Sequence, residues 1–196
     1  PAASGKGTLA RNLAKHYDFA YLDTGSLYRT VGLMIMQAGK PPSDTEAAII
    51  ASANLDSRLF SDPKLRDEAT GDAASIVSQI PEVRANLLNF QREFASSPPS
   101  DKKGAVIDGR DIGTVVCPDA EIKFFVTASP EVRAERRTKE ILDRGEVANY
   151  EEILKDVRAR DARDTERKNS PLRPAENAYL LDTTKLDIDA VLLRAI

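Results

Sequence analysis

The sequence has very few of the side chains that react with oxidants or link segments of a chain covalently. Among its 196 residues it contains one cysteine, Cys117, one histidine, His16, and no tryptophan. A single cysteine excludes a disulfide within the chain and is typical of a reducing compartment, so we expect a cytoplasmic protein. Cys117 is interpreted as a small buried hydrophobic residue. His16 lies in a predicted helix, and we assign it no role.

Long apolar runs and a strong excess of charge are also missing. The longest apolar run, residues 31–36, is far too short to cross a bilayer, so no membrane partner is expected. The net charge is −3, which gives no electrostatic reason to expect nucleic acid as a partner. Positive charge is instead concentrated at 133–144 and 158–168, which favours a small anionic ligand held in a cleft. The alternative is two solvated helix faces.

The pattern of apolar residues predicts an α/β fold. Short apolar runs predict strands at 19–23, 105–108, 122–126 and 178–182. Helical stretches lie between them, at 5–16, 26–38, 45–53, 64–79, 81–95, 130–143, 150–167 and 187–195. Strands that alternate with helices indicate a parallel sheet, whose ligands lie at the carboxyl ends of the strands. Residues 41–81 do not follow the alternation and are interpreted as an insertion, with a possible hairpin at 55–60.

The chain opens with PAASGKGT, residues 1–8, directly before a predicted helix. Gly5 and Lys6 occupy the last Gly-Lys of the pattern Gly-x-x-x-x-Gly-Lys-[Ser/Thr], whose backbone N–H groups and lysine bind phosphates. The first glycine of that pattern would precede Pro1, so we expect an N-terminally truncated chain whose first strand is missing. Gly7 stands where the pattern has Ser or Thr, and the hydroxyl comes at Thr8, so a Mg²⁺ ligand from this loop is left open. The alternative is an ordinary turn before a helix.

Two polar segments follow predicted strands. In DTGSLYR, residues 23–29, Thr24 can cap the next helix, and Arg29 can reach a phosphate from its first turns. In DGRDIGTV, residues 108–115, two glycines let the backbone approach a ligand, and Asp108 is placed to hold Mg²⁺ through water. The alternatives are a surface arginine and an ordinary polar turn.

The helix predicted at 150–167 changes character along one face. Its first half carries an apolar stripe at helical spacing, and the same stripe then reaches Arg160, Asp161 and Asp164. Because buried charge is costly without a partner, we expect this half to line a ligand cleft. The alternative is a helix end in solvent, with Arg160 and Asp164 as an exposed pair. The arginines around 133–144 predict either a mobile flap or a plain surface helix.

Four segments together resemble a known family: LDTGSLYR (22–29), ASIVSQIPEVR (74–84), DGRDIGTVVCPDA (108–120) and RARDARDTER (158–167). They are similar to the bacterial-type cytidylate kinases, which are P-loop nucleoside monophosphate kinases. The resemblance implies one three-layer P-loop kinase domain over 1–196 with a five-stranded parallel sheet. It also implies that 41–81 is an inserted monophosphate-binding subdomain and that 136–146 is a short lid.

The resemblance also implies roles for individual residues. The ATP phosphates would lie on the loop of Pro1, Ala2, Ala3, Ser4, Gly5, Lys6, Gly7 and Thr8. The phosphate of CMP would be bound by Arg29, Arg110 and Arg160, with Thr24 beside it. The cytosine would be read by Ser75, Arg84 and Asp111. The ribose would contact Asp164, with Arg167 nearby. The transferring phosphoryl group would be neutralised by Lys6, Arg136, Arg137 and Arg163.

The implied reaction is phosphoryl transfer from ATP, with Mg²⁺, to CMP or dCMP in a monomeric enzyme. A carboxylate such as Asp111 accepts the N4 amine of cytosine, and Arg84 can satisfy its ring acceptors. Uracil reverses the donor pattern and would be rejected. Two alternatives stay open: a kinase for another acceptor, such as UMP, AMP or shikimate, and a nucleotide-binding fragment without activity.

Overall fold

The computed structural model describes residues 1–99 and 101–196, which fold into eight α-helices and four short β-strands. In chain order these are α1 (Lys6–Tyr17), β1 (Ala20–Asp23), α2 (Thr24–Gln37), α3 (Thr45–Ala53), α4 (Glu68–Val77), α5 (Pro81–Ser96), β2 (Ala105–Asp108), β3 (Phe124–Thr127), α6 (Pro130–Asp143), α7 (Tyr150–Glu166), β4 (Tyr179–Asp182) and α8 (Ile188–Ala195). The chain divides into two compact units. The first comprises Pro1–Phe19 and Arg110–Ile196, and the second comprises Ala20–Gly109.

The sheet of the second unit consists of β1 and β2, which pair in parallel. The register sets Ala20 opposite Ala105 and Asp23 opposite Asp108. Both strands therefore end in an aspartate at the same edge of this small sheet. Parallel pairing requires a crossover between the strands, and α2 to α5 supply it.

The core of the second unit lies between its helices. α2 packs against α3 and α4, and α3 packs against α5. The side chains that form this core are buried: Leu27, Tyr28, Val31, Ile35, Ala48, Ala51, Ala74, Val77, Val83 and Leu87. Gly32 lets α2 approach α4 closely, because a Cβ at Gly32 would lie 2.8 Å from the Cβ of Ala73.

Residues 41–81 contain α3, two turns of 3₁₀ helix and α4. The hairpin predicted at 55–60 is wrong, because Ser57–Ser61 is 3₁₀ helix, with the Asp56 carboxylate accepting the N–H of Arg58 at 3.0 Å. The single helix predicted at 64–79 is also wrong in its first turn. Pro63–Arg66 is 3₁₀ helix, and the chain is extended at Asp67 before α4 begins. In both places an aspartate side chain satisfies local N–H groups and favours a tight turn over a regular element.

The first unit contains the other parallel pair, β3 and β4. Phe124 lies opposite Tyr179, and Thr127 lies opposite Asp182. α8 packs against α1. The helices α6 and α7 pack on each other around Ala134, Ile141, Ile153, Leu154 and Val157.

The apolar stripe predicted for the helix at 150–167 is therefore the contact of α7 with α6. A side-chain hydrogen bond caps the N-terminus of each of these two helices. The Ser129 hydroxyl accepts the N–H of Val132 at 3.3 Å, with Pro130 in the first turn of α6, and the Asn149 amide oxygen accepts the N–H of Glu151 at 3.1 Å at the start of α7.

The predicted α/β class is confirmed, and all four predicted strands are found within two residues of their expected bounds. The predicted parallel pairing is confirmed for both strand pairs. A single five-stranded sheet stays a prediction, as do the subdomain at 41–81 and the lid at 136–146. No helix in the described part of the chain combines the length and the apolarity that a membrane span needs.

Candidate active site

The loop at the start of the first unit has the backbone geometry of an anion site. Gly5 precedes α1 in the left-handed region, at φ 85°, where a side chain would be strained. No side chain caps the first turn of α1, and that turn carries no acidic residue. The positive end of this helix therefore favours a phosphate, and Lys6 stands at its first position.

Two contacts hold the carbonyl groups of this loop. The Thr183 hydroxyl lies 2.9 Å from the carbonyl oxygen of Ser4, and the Arg133 Nη1 donates to the carbonyl of Ala2 at 3.4 Å. Ser4 is fully buried, and its hydroxyl donates to the carbonyl of Pro1 at 3.0 Å. The carbonyls of Pro1, Ala2 and Ser4 are therefore engaged in hydrogen bonds within the protein.

Arg133 is a buried cation that joins three segments of the first unit. Its side chain is 2% exposed. Its guanidinium forks onto the Asp161 carboxylate, with Nη1–Oδ1 at 2.9 Å and Nη2–Oδ2 at 2.5 Å, and its Nε donates to the carbonyl of Ala128 at 2.9 Å. The loop, the end of β3 and α7 are thus tied to one side chain on α6. A bidentate pair of this kind fixes orientation as well as charge.

Positive charge gathers at the loop. Lys6, Arg110 and Arg133 lie near enough to Pro1 to act on it electrostatically, and Asp161 opposes them. A cluster of cations favours an anion at the same place.

Arg136 lies beside the same loop. Its Nη1 donates to the Thr183 hydroxyl at 3.0 Å, and its Nη2 donates to the Thr183 carbonyl at 2.7 Å. A Cβ built on Gly5 would lie 3.9 Å from Nη1. The guanidinium is therefore held next to the left-handed residue that begins α1.

Asp164, on the second half of α7, is buried and pairs with Arg110 through the Arg110 Nε. Its carbonyl accepts the N–H of Leu172 at 2.7 Å. Three residues further on, the Arg167 Nε donates to the carbonyl of Ser170 at 2.6 Å. The charged half of the α7 stripe thus faces partners inside the first unit, because a buried charge without a partner is costly. The alternative of a solvated Asp164 is therefore wrong.

The other predicted residues of the first unit lie on α6, on α7 and before a π-helical turn. The Arg137 Nη1 contacts the Glu140 Oε2 on the surface of α6 at 2.9 Å. Arg160 and Arg163 are partly exposed on α7. Asp111 is buried and precedes a π-helical turn over Ile112–Val116, in which its carbonyl accepts the N–H of Val115 at 2.8 Å.

In the second unit, two predicted residues meet where β1 and β2 end. The Thr24 hydroxyl donates to the carbonyl of Asp108 at 2.8 Å, and both residues are buried. Asp23 caps α2 by accepting the N–H of Gly25 at 2.9 Å. The Arg29 Nη1 lies 3.8 Å from the Asp23 Oδ2, so Arg29 stands over the first turn of α2.

Ser75 and Arg84 are brought together through Ser78. The Ser78 hydroxyl donates to the carbonyl of Ser75 at 3.0 Å, and the Arg84 Nη1 donates to the carbonyl of Ser78 at 3.1 Å. The Arg84 guanidinium also lies 5.5 Å from the centre of the Tyr28 ring, within the range of a cation–π contact. These contacts orient the Arg84 guanidinium.

The protein groups present fit a magnesium ion that takes most of its ligands from water and substrate phosphates. Among the described residues no group of three or more His, Cys, Asp or Glu could hold a metal ion. Mg²⁺ commonly takes one or two carboxylates, water and substrate phosphates, so a site with one protein carboxylate, such as that of the buried Asp108, is compatible with it. The Thr8 hydroxyl accepts a hydrogen bond from the exposed Arg11 Nη2 at 3.4 Å.

Sequence reasoning missed the residues that position the site. Thr183 directly follows the last residue of β4, a place where the carboxyl ends of parallel strands hold ligands, and that position was the available signal. Arg133 and Asp161 belong to the noted arginine cluster and α7 stripe, but nothing in their spacing distinguishes them from the neighbouring charges.

Comparison with known proteins identifies the family. A family model described as cytidylate kinase matches residues 1–196. The chain is 53% identical to a protein named cytidylate kinase from Bradyrhizobium diazoefficiens, over 100% of this chain and 91% of that protein. The same name is carried by relatives from Rhodospirillum rubrum, at 52% identity over 100% of this chain and 92% of the relative, and from Afipia carboxidovorans, at 51% over the same shares. The motifs, the loop geometry and these matches agree, and the chain belongs to the cytidylate kinase family.

Proposed function

We propose that this chain transfers the γ-phosphoryl group of ATP to CMP, and also to dCMP, giving ADP and CDP or dCDP. The observation that carries the proposal is the match to cytidylate kinases along the whole chain, at 50–53% identity for the relatives compared. The geometry of the first unit supports phosphate chemistry independently, because an uncapped helix start and several arginines gather at one loop.

We propose that the loop from Pro1 to Thr8 binds the ATP phosphates. The Gly5 backbone, the first N–H groups of α1 and the Lys6 ammonium supply donors and positive charge. The fixed carbonyls of Ala2 and Ser4 support this role, since a loop whose carbonyls are already bonded does not turn them towards the phosphates.

The proposed residues for the CMP phosphate are Thr24, Arg29, Arg110 and Arg160. Arg29 stands over the first turn of α2, and Arg110 is oriented by its pair with Asp164. A guanidinium held by a carboxylate keeps further N–H donors that match phosphate oxygens.

For the cytosine, the proposed readers are Ser75, Arg84 and Asp111. The contacts of Arg84 with Ser78 and Tyr28 hold its fork in place, which favours selective hydrogen bonding. Asp111 is an acceptor suited to the N4 amine, which uracil lacks. Asp164, with Arg167 nearby, is the proposed contact of the ribose hydroxyls.

In the proposed mechanism an oxygen of the CMP phosphate attacks the γ-phosphorus in line, and the bond from γ-phosphorus to the bridging oxygen of ADP breaks. The attacking oxygen is already anionic, so no protein nucleophile is needed. Lys6, Arg136, Arg137 and Arg163 would neutralise the charge that spreads over the transferring group. A lid over 136–146 would exclude water and suppress hydrolysis of ATP.

Mg²⁺ is the proposed metal, held by phosphate oxygens and, through water, by Asp108. When bound, it would neutralise negative charge on the phosphate oxygens. The residues of the loop contribute binding and orientation, and the Thr8 hydroxyl is the group of the loop that could bind the metal directly.

We further propose the finer architecture that the resemblance implies, which is a three-layer fold with a five-stranded parallel sheet, an insertion over 41–81 and the lid over 136–146. The parallel pairing of both described strand pairs supports it. A monomer in the cytoplasm, with no nucleic-acid or membrane partner, also stays a prediction.

A panel of acceptors tests the function. The chain is incubated with Mg-ATP and, separately, CMP, dCMP, UMP, AMP and GMP, and ADP formation is measured. We expect strong turnover with CMP and dCMP and little with the others. Turnover of UMP or AMP in preference to CMP would keep the kinase chemistry and refute the acceptor, whereas no turnover with any acceptor would refute the proposal.

A further inference from the structure

Thr183 is a buried residue at the end of β4, and no predicted role uses it. It is 1% exposed. Its hydroxyl oxygen lies within hydrogen-bonding distance of three groups from separate parts of the first unit: the Ser4 carbonyl at 2.9 Å, the Thr127 carbonyl at 3.1 Å and the Arg136 Nη1 at 3.0 Å.

The number of hydrogen bonds that one hydroxyl can make decides which of these contacts it donates and which it accepts. A hydroxyl has one hydrogen to donate and two lone pairs to accept. Arg136 is only a donor, so it uses a lone pair. The Thr127 carbonyl already accepts the backbone N–H of Thr183 at 2.8 Å, and the Ser4 carbonyl is the nearer of the two acceptors. The hydroxyl therefore donates to the phosphate-binding loop and accepts from Arg136.

Arg136 depends on Thr183 for its placement in two ways. Besides the hydroxyl, the Thr183 carbonyl accepts its Nη2 at 2.7 Å, so both terminal nitrogens of the guanidinium are bound to the same residue. The backbone of Thr183 is fixed in turn by its pairing with the end of β3. The guanidinium then lies beside Gly5, with Nη1 3.9 Å from the place that a Cβ would take.

We propose that Thr183 is a positioning residue for phosphoryl transfer, which holds the Arg136 guanidinium at the phosphate loop. The proposal rests on the proposed function of the chain. The Arg136 side chain, on α6, is long and has many rotamers. Without a fixed partner, ordering its guanidinium at the loop would cost conformational entropy in each turnover. By ordering Arg136 and Ser4 through one hydroxyl, Thr183 sets the distance between the loop and the charge that neutralises the transferring group.

The test is Thr183→Val, which keeps the shape and removes the hydroxyl, with Thr183→Ser as the conservative variant. Each variant is assayed with Mg-ATP and CMP for kcat and both KM values, and its thermal transition is recorded. We expect Thr183→Val to lower kcat about 10- to 100-fold, the scale of a small misplacement at a reacting centre, with a smaller change in either KM. Thr183→Ser retains most of the activity.

The matched control is Thr30→Val. Thr30 is also fully buried, and among the described residues its hydroxyl donates only to the Ser26 carbonyl of its own helix, at 3.0 Å. We expect its kcat to stay within about threefold of the wild type. An equal loss of kcat in Thr30→Val would overturn the proposal, since the effect would then belong to any buried hydroxyl.

A double-mutant cycle separates positioning of Arg136 from general support of the loop. We expect Arg136→Ala to lower kcat about 100- to 1,000-fold, within reach of an assay with labelled ATP. Adding Thr183→Val to Arg136→Ala should then cost almost nothing more in kcat. An unchanged kcat in the single Thr183→Val variant, or the same loss in both backgrounds, would overturn the proposal while leaving the kinase intact. Absence of CMP phosphorylation by the wild type would overturn the proposed function and this role with it.

Discussion

Breaking the buried pair of Arg133 and Asp161 should destabilise the first unit strongly. The Arg133 side chain is 2% exposed and the Asp161 side chain is 26% exposed. Replacing Asp161 by alanine leaves the guanidinium buried, and its remaining hydrogen-bond partners in the described part of the chain are the carbonyls of Ala128 and Ala2. Removing one partner of a buried pair typically costs about 3–5 kcal/mol, because the remaining charge has lost its counter-charge and cannot reach water.

The partial exposure of Asp161 places the expected loss at the lower end. Water can enter where the carboxylate was, so we expect Asp161→Ala to lower the free energy of unfolding by about 3 kcal/mol. For a chain of this size that corresponds to a fall in Tm of about 6–12 °C. Asp161→Asn keeps one oxygen acceptor without the charge and should lose less.

Thermal and urea unfolding followed by circular dichroism measure this loss. The matched control is Arg158→Ala, because Arg158 makes an ion pair of similar length with Glu131, at 2.8 Å, between two well-exposed side chains. We expect no measurable shift from it, since exposed pairs contribute little. If Asp161→Ala unfolds at the wild-type temperature, Arg133 is not held by this pair and the reasoning is refuted.

Three further predictions follow from particular contacts. Gly32→Ala should lower the free energy of unfolding by about 1–2 kcal/mol, because the new Cβ would lie 2.8 Å from the Ala73 Cβ and force α2 from α4; an unchanged urea midpoint contradicts this. The Thr184 hydroxyl and its N–H hold the pKa of the exposed Asp182 below its ordinary value, so Thr184→Val should raise that pKa in a carbon-detected NMR titration, and an unmoved pKa would refute the contact. Because the folded-state pKa is depressed, this contact stabilises the fold above the unfolded pKa and is lost as pH falls through the folded pKa. Arg84→Met should raise KM for CMP at least about tenfold with little change in KM for ATP, and an equal rise in both would exclude base reading.

Much of the local structure could be predicted because the relevant signals are short-range. α6 was predicted with its observed bounds, since Ser129-Pro130 is a strong start and Gly145 follows its end. The strands ending in Asp23, Asp108 and Asp182 were visible as apolar runs that stop at a carboxylate.

The tertiary partners of charged residues could not be predicted in the same way. Spacing showed that Asp161 and Asp164 share the inner face of α7, but it did not show that one meets Arg133 and the other Arg110, which are distant in sequence. The hairpin at 55–60 was mistaken because the local side-chain bonds of Asp56 outweighed the apolar pattern. In the sequence, Thr183 is not distinguishable from an ordinary turn residue. Its place between Ser4 and Arg136 follows from the tertiary fold.

The most direct test of the central claim is phosphorus NMR of the chain with Mg-ATP and CMP. We expect the signals of ADP and CDP to grow together in equal amounts, with no matching release of inorganic phosphate. Release of phosphate with ADP and no CDP would show a hydrolase, and unchanged ATP and CMP would show a chain without activity; either result contradicts the account.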